Sequence, residues 1–97
     1  MKICVIGGGS IGKRHLKNIK QNYNEVELFC FKRSIDQDFS EKFSCTILTQ
    51  KSEILLLGIE TIIICTPTSM HLEWIEFACE EKLNVFVEKP LVSDIYQ

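Results

Sequence analysis

Proline is scarce in this chain, with only Pro67 and Pro90, and four of the five glycines crowd into residues 7 to 12. So few breakers elsewhere exclude a Pro- or Gly-rich linker and a low-complexity tract. With 45% hydrophobic and 25% charged residues, the composition is that of an ordinary globular domain rather than a disordered segment. Long apolar runs are also missing. Ile54 to Leu57 and Ile62 to Cys65 fall far short of the roughly 20 residues that a membrane span requires. Met1-Lys2-Ile3 opens directly into an apolar strand and leaves no room for a cleavable leader, so the expectation is a chain neither secreted nor membrane-inserted.

The five cysteines, Cys4, Cys30, Cys45, Cys65 and Cys79, are odd in number and contain no C-x-x-C pair. That excludes a simple disulfide framework, and their place inside apolar runs reads as buried free thiols of a reducing cytoplasm. Charge of one sign is lacking as well. A net charge of -2 from interleaved acids and bases argues against nucleic acid or a membrane surface as partner. Any anion site must therefore be local. No metal-ligand cluster and no pair of carboxylates set up for acid/base work stands out.

What is present is a glycine turn, Gly7-Gly8-Gly9-Ser10-Ile11-Gly12, placed between the apolar run Ile3 to Ile6 and a helical stretch beginning near Ile11. Gly7, Gly9 and Gly12 spell G-x-G-x-x-G in a strand-to-helix context. The first permits the tight turn, the second lets backbone approach a pyrophosphate, and the third lets the helix pack on the strand. The free N–H groups and the positive end of the helix dipole would face a dianion there. A dinucleotide site is the leading expectation.

The remaining chain alternates strand and helix. Lys2 to Ile6 is a continuous apolar strand, followed by a helix over Ser10 to Asn22. Gly12, Leu16, Ile19 and Tyr23 form its inner face, and Lys13, Arg14, Lys17 and Lys20 form a basic, solvated one. His15 reads as packed where this helix meets the sheet. Val26 to Phe31 is a second strand and ends at Lys32-Arg33-Ser34. The NAD-type fingerprint has an acid there for the ribose hydroxyls, whereas an arginine and a hydroxyl suit a 2'-phosphate and favour NADP. The alternative is an exposed basic turn, with Asp36 or backbone serving the ribose. Asp36 to Phe43 is expected as a short helix and Cys45 to Leu48 as a brief strand. Ser52 is expected to cap a helix through Leu56 that Gly58 stops. Thr61 to Cys65, β-branched and uncharged, is a buried strand. A helix from Met70 to Lys82 turns Leu72, Ile75, Ala78 and Cys79 inward, with Trp74 at the edge of the stripe. Asn84 to Val87 is the last strand, and Ser93 and Asp94 would cap a further helix.

This alternation predicts an α/β fold: a doubly wound parallel sheet of Rossmann type in three layers, α/β/α, with strand order 3-2-1-4-5. The glycine turn and the Thr66 to Ser69 loop would then be two walls of one crevice at the carboxyl ends of the strands.

Three stretches lie at characteristic distances: the glycine turn, Thr66-Pro67-Thr68-Ser69-Met70-His71 as T-P-x-x-x-H, and Glu88-Lys89-Pro90. Together they resemble the nucleotide-binding half of the Gfo/Idh/MocA oxidoreductases, over essentially the whole chain. The resemblance implies a domain holding NAD or NADP, and Lys32-Arg33-Ser34 slightly favours NADP. The implied reaction is hydride transfer to or from a sugar, nucleotide sugar or cyclitol. It also implies that Lys89 reaches the nicotinamide ribose and the substrate hydroxyl as the catalytic lysine, supported by Glu88. Thr66, Pro67 and Thr68 would pack along the cofactor. His71 would serve a structural or a catalytic role. The X-Pro bond at Lys89-Pro90 is expected to be cis.

The departure from the family is length. Residues 1–97 form one dinucleotide-binding domain, expected to be an excised amino-terminal part of a longer, homo-oligomeric protein whose carboxyl-terminal domain supplies the substrate pocket. A nucleotide-binding regulatory or structural module without turnover is the alternative. The expected cofactor-binding set is Gly7, Gly9, Ser10, Ile11, Gly12, Lys32, Arg33, Ser34, Thr66, Pro67, Thr68, His71, Glu88 and Lys89, with no metal ligand.

Overall fold

The computed structural model describes residues 1–23, 25–66 and 68–87, Thr68 by its backbone alone. Five strands, β1 (Lys2–Ile6), β2 (Glu27–Phe31), β3 (Thr46–Leu48), β4 (Thr61–Ile64) and β5 (Asn84–Val87), make one sheet in the order β3-β2-β1-β4-β5. Every pairing is parallel, with Val5 opposite Cys30 on one side and Ile63 on the other. The helices are α1 (Ser10–Asn22), α2 (Gln37–Phe43), α3 (Lys51–Leu56) and α4 (His71–Glu80), the last preceded by a 3₁₀ turn over Thr68–Met70.

Strand side chains alternate between two buried layers, as the pleat requires. Val5, Leu28 and Cys30 pack with Leu16 and Ile19 of α1 and Phe39 of α2. Cys4, Ile6, Phe29, Ile62 and Ile64 pack with Ile54 of α3 and with Trp74 and Ala78 of α4. The result is the three-layer α/β/α arrangement, with both faces of the sheet covered. This explains why the central strands read as continuous apolar runs. β5 is an edge strand, and Phe86 on it is 63% exposed.

Helix ends follow local chemistry. Asp36 caps α2 by accepting the Phe39 amide at 3.1 Å, and Ser44, at φ 51°, ends that helix. Gly58, at φ 72°, follows α3 in the left-handed region that glycine adopts at low cost. Ser52 does not cap α3. The cap is Gln50, whose amide and that of Thr49 both donate to Glu53 Oε1 at 3.0 Å, so Ser52 lies inside the first turn.

Three expected core positions are displaced. Tyr23 is 62% exposed because it follows α1 in extended backbone, which takes its ring off the helix face. In α4, Leu72 is 66% exposed and Cys79 is also exposed, whereas Trp74 is only 2% exposed. Trp74 stands edge-on to Phe31 of β2, with ring centroids 4.9 Å apart, and edge-on to Phe77 at 5.6 Å. Burying this largest side chain beside Ala78, four residues on, turns Leu72 roughly 200° away around the helix. The expected cis bond at Lys89-Pro90 and the cap at Ser93 and Asp94 lie outside the described residues.

Two measurements check this packing. Trp74→Ala should lower unfolding stability in urea by about 3–5 kcal/mol, while Leu72→Ser stays within about 0.5 kcal/mol of the parent. The second concerns the buried thiols of Cys4, Cys30 and Cys45. Burial, with a smaller contribution from the neighbouring Cys45, pushes Cys30 from the ordinary 9.0 up to about 12. Burial also raises Cys4 and Cys45. The folded state therefore holds neutral thiols, and their stabilisation is complete below pH 9 and lost as pH rises from there toward about 12. The urea midpoint should fall above pH 9, and Cys30→Ala should flatten that fall.

Candidate cofactor-binding site

The end of β1 turns sharply at Gly7, whose φ of 108° is closed to ordinary side chains. Its amide donates to Phe31 O at 3.0 Å, and Cys65 N donates to Ile6 O at 2.9 Å, tying the turn to β2 and β4. A Cβ on Gly7 would come within 3.0 Å of Cys65 O, so the residue after β4 also requires a glycine here. Gly12 is tighter still. A Cβ there would collide with the Gly7 carbonyl oxygen, and only its absence lets α1 lie this close to β1.

Gly9 differs from both. It is the N-cap of α1 at φ −76°, ψ −169°, and a Cβ on it would meet nothing within 4 Å. The fold leaves room for a side chain at Gly9, and an incoming ligand would take that space. No side chain caps α1, and no acid lies in its first turn. Lys13 N is the first amide bonded back, to Gly9 O at 2.9 Å, which leaves the earlier amides of the turn without intrahelical acceptors. A helix start without cap or counter-charge is an anion site by construction.

Beside this turn a hollow of about 400 Å³ opens at the carboxyl ends of β1, β2 and β4. Gly7, Gly8, Lys32, Arg33, Ser34 and Thr66 line its polar part, and Ile6, Phe31, Met70 and Trp74 its apolar floor and wall. The mixture suits an adenosine: apolar surface for a base and cations for phosphate. Thr66 Oγ1 is buried and has no hydrogen-bond partner among the described residues, the state of a group that waits for a ligand atom. His71 Nε2 lies 2.8 Å from Thr66 O and holds this wall in place from the first turn of α4. A larger hollow, about 470 Å³, runs between α1 and α2 along Lys13, Arg14, Lys17 and Lys20. It lies on the outer face of α1 and reaches the glycine turn only at Ser10.

The expected residues therefore fall into three groups. Gly7, Lys32, Arg33, Ser34 and Thr66 meet in one hollow, with His71 behind Thr66. Gly9, Ser10, Ile11 and Gly12 form the adjoining helix start, where Ser10 is exposed toward the basic groove and Ile11 is half-buried. Pro67, Glu88 and Lys89 lie outside the described residues, as does the side chain of Thr68. Asp36, the alternative ribose ligand, does not line this hollow; its carboxylate accepts the Phe39 amide and pairs with Lys32. Gly8, Phe31, Met70 and Trp74 were not anticipated. Phe31 could have been found as the last residue of β2, directly before Lys32, but Trp74 depended on the rotation of α4. Among the described residues no group of His, Cys, Asp and Glu could hold a metal ion, and no helix is long and apolar enough to cross a membrane.

The glycines give a test that separates fold from site. Gly12→Ala should cost about 1–3 kcal/mol of stability through overpacking at the Gly7 carbonyl. Gly9→Ala should change thermal stability little and weaken dinucleotide binding, read by calorimetric titration. Equal stability losses from the two would contradict this division of roles.

Known proteins are similar to this chain in sequence and fold. Over 98% of its length the chain aligns with scyllo-inositol 2-dehydrogenase (NAD(+)) of Bacillus subtilis at 33% identity, covering 29% of that enzyme. The structure of a myo-inositol dehydrogenase from Corynebacterium glutamicum superposes on 94% of the chain with a TM-score of 0.78 and 29% identity, over 28% of that protein. GenD2 from gentamicin A biosynthesis, solved in complex with NAD, superposes on 94% of the chain with a TM-score of 0.80 and 25% identity, over 27% of its own length. The chain thus spans less than a third of the length of these relatives. The model of the oxidoreductase family with an NAD-binding Rossmann fold matches residues 1–97, and with the glycine turn and the uncapped helix start in place the chain belongs to the Gfo/Idh/MocA family as its NAD-binding domain.

Proposed function

We propose that this chain is the cofactor-holding part of an NAD(P)-dependent oxidoreductase acting on a sugar, nucleotide sugar or cyclitol. The observation that carries the reading is the start of α1, which has neither capping side chain nor acid and stands at the edge of the hollow beside Gly7. The inositol dehydrogenases among the relatives support the substrate class. A bound nicotinamide would supply the hydride chemistry. The chain's own residues bind and orient: the amides of residues 10 to 12 take the pyrophosphate, and Lys32 to Ser34 border the adenosine ribose. Thr66, fixed from behind by His71, offers its hydroxyl to the cofactor.

Lys89 follows the end of β5 by two residues in sequence. In this reading it stabilises charge developing on the substrate oxygen, with Glu88 as its support. The relatives are more than three times as long, which supports a substrate pocket completed by a further domain. The chain alone would then bind dinucleotide without turnover, since fixed substrate geometry contributes about 7–11 kcal/mol to such a reaction.

Cofactor choice rests on Arg33 and Ser34. Arg33 is exposed, lines the hollow and has no ion-pair partner among the described residues, so a 2'-phosphate would meet an uncommitted guanidinium. Arg33→Ala should weaken NADP binding about tenfold and leave NAD binding within about twofold, measured by titration of both cofactors. Equal losses for the two would remove Arg33 from the ribose site. Failure of either cofactor to bind the parent chain would remove the dinucleotide reading.

A further inference from the structure

At the carboxyl end of β2 stands a lysine whose charge is neutralised within the protein. Lys32 runs its stem across the glycine turn, where a Cβ placed on Gly8 would lie 3.0 Å from both its Cδ and its Cε. Its ammonium sits 3.8 Å from the centroid of the Phe39 ring and 3.6 Å from Asp36 Oδ2. Both partners belong to the start of α2: Asp36 is its N-cap, and Phe39 is a buried core residue. The Lys32 side chain is 21% exposed, so the pair is partly shielded from water, and the ring contact adds to the attraction. Arg33, next in the chain, has no such partner among the described residues.

We propose that Asp36 is a positioning residue that sets cofactor choice: by pairing with Lys32 it withdraws that charge from the hollow. The stem of Lys32 then forms an apolar ledge beside Gly8, and Arg33 is left as the cation that meets a ribose 2'-phosphate. The inference rests on the reading of this hollow as the adenosine end of a dinucleotide site. Two cations and one carboxylate leave a single net positive charge, so the tripeptide Lys32-Arg33-Ser34 discriminates less sharply than its composition suggests. The domain therefore accepts NAD as well as NADP.

The test uses adenosine 2',5'-bisphosphate and AMP as probes, titrated into the chain and followed by amide chemical shifts. Asp36→Asn removes the charge and keeps a side chain suited to capping α2. It should raise the affinity for the bisphosphate over AMP by about three- to fivefold, the factor expected for releasing one partly exposed ion pair. Adding Lys32→Met to Asp36→Asn should cancel that gain, and Lys32→Met alone should move the ratio by less than about twofold. A merely structural role for Asp36 would lower both affinities together and leave the ratio unchanged, which would overturn the proposal. A gain that survives Lys32→Met would also overturn it, since the carboxylate would then act on the phosphate directly. A severalfold loss in Lys32→Met alone would show that Lys32 already contacts the phosphate, with the same consequence. If neither probe binds the parent chain, the nucleotide reading of the hollow itself fails, an outcome distinct from an unchanged ratio.

Discussion

The approach of Gly12 to the Gly7 carbonyl is the contact on which the rest of the molecule depends. With no Cβ at Gly12, α1 begins directly against the end of β1, and its first amides point out over the carboxyl edge of the sheet. Any side chain there would push the helix off the strand. Leu16 and Ile19, one and two turns further along, would then lose their seat against Val5, Leu28 and Cys30. One steric requirement thus serves both stability and the direction of the helix dipole. Gly7 links the same joint to β4 through Cys65, so the turn, the central strands and the wall at Thr66 are mechanically one unit.

Charge is distributed to match. The start of α1 carries no acid, and the basic face of that helix adds a positive field of its own on a chain whose net charge is −2. Opposite, α4 exposes Glu73, Glu76 and Glu80 on the far layer. An anion near the glycine turn therefore meets fixed amides and cations, while these three acids lie across the sheet. Within the hollow the balance is finer, because Asp36 pairs with Lys32 while Arg33 has no ion-pair partner among the described residues. Aromatic surface from Phe31 and Trp74 complements these charges, so base and phosphate each have a distinct surface to meet.

The residue pattern by itself determined the strand and helix order, the parallel sheet and the position of the glycine turn. These follow from short-range rules: β-branched runs, glycine where φ must be positive, and helical periodicity in α1, whose apolar positions form one clear stripe. Only the tertiary structure decided how α4 turns. Leu72, Ile75 and Cys79 make one apolar stripe and Trp74, Phe77 and Ala78 another, and periodicity cannot rank two stripes on one helix. The sheet ranks them, because the pocket beside Phe31 accepts the indole, and burying the largest ring gains the most. The same holds for Lys32 and Asp36. Their sequence spacing suits a pair, but whether the carboxylate faces a ribose or a lysine depends on where α2 starts relative to β2, and that is set by the packing of Phe39 under the sheet.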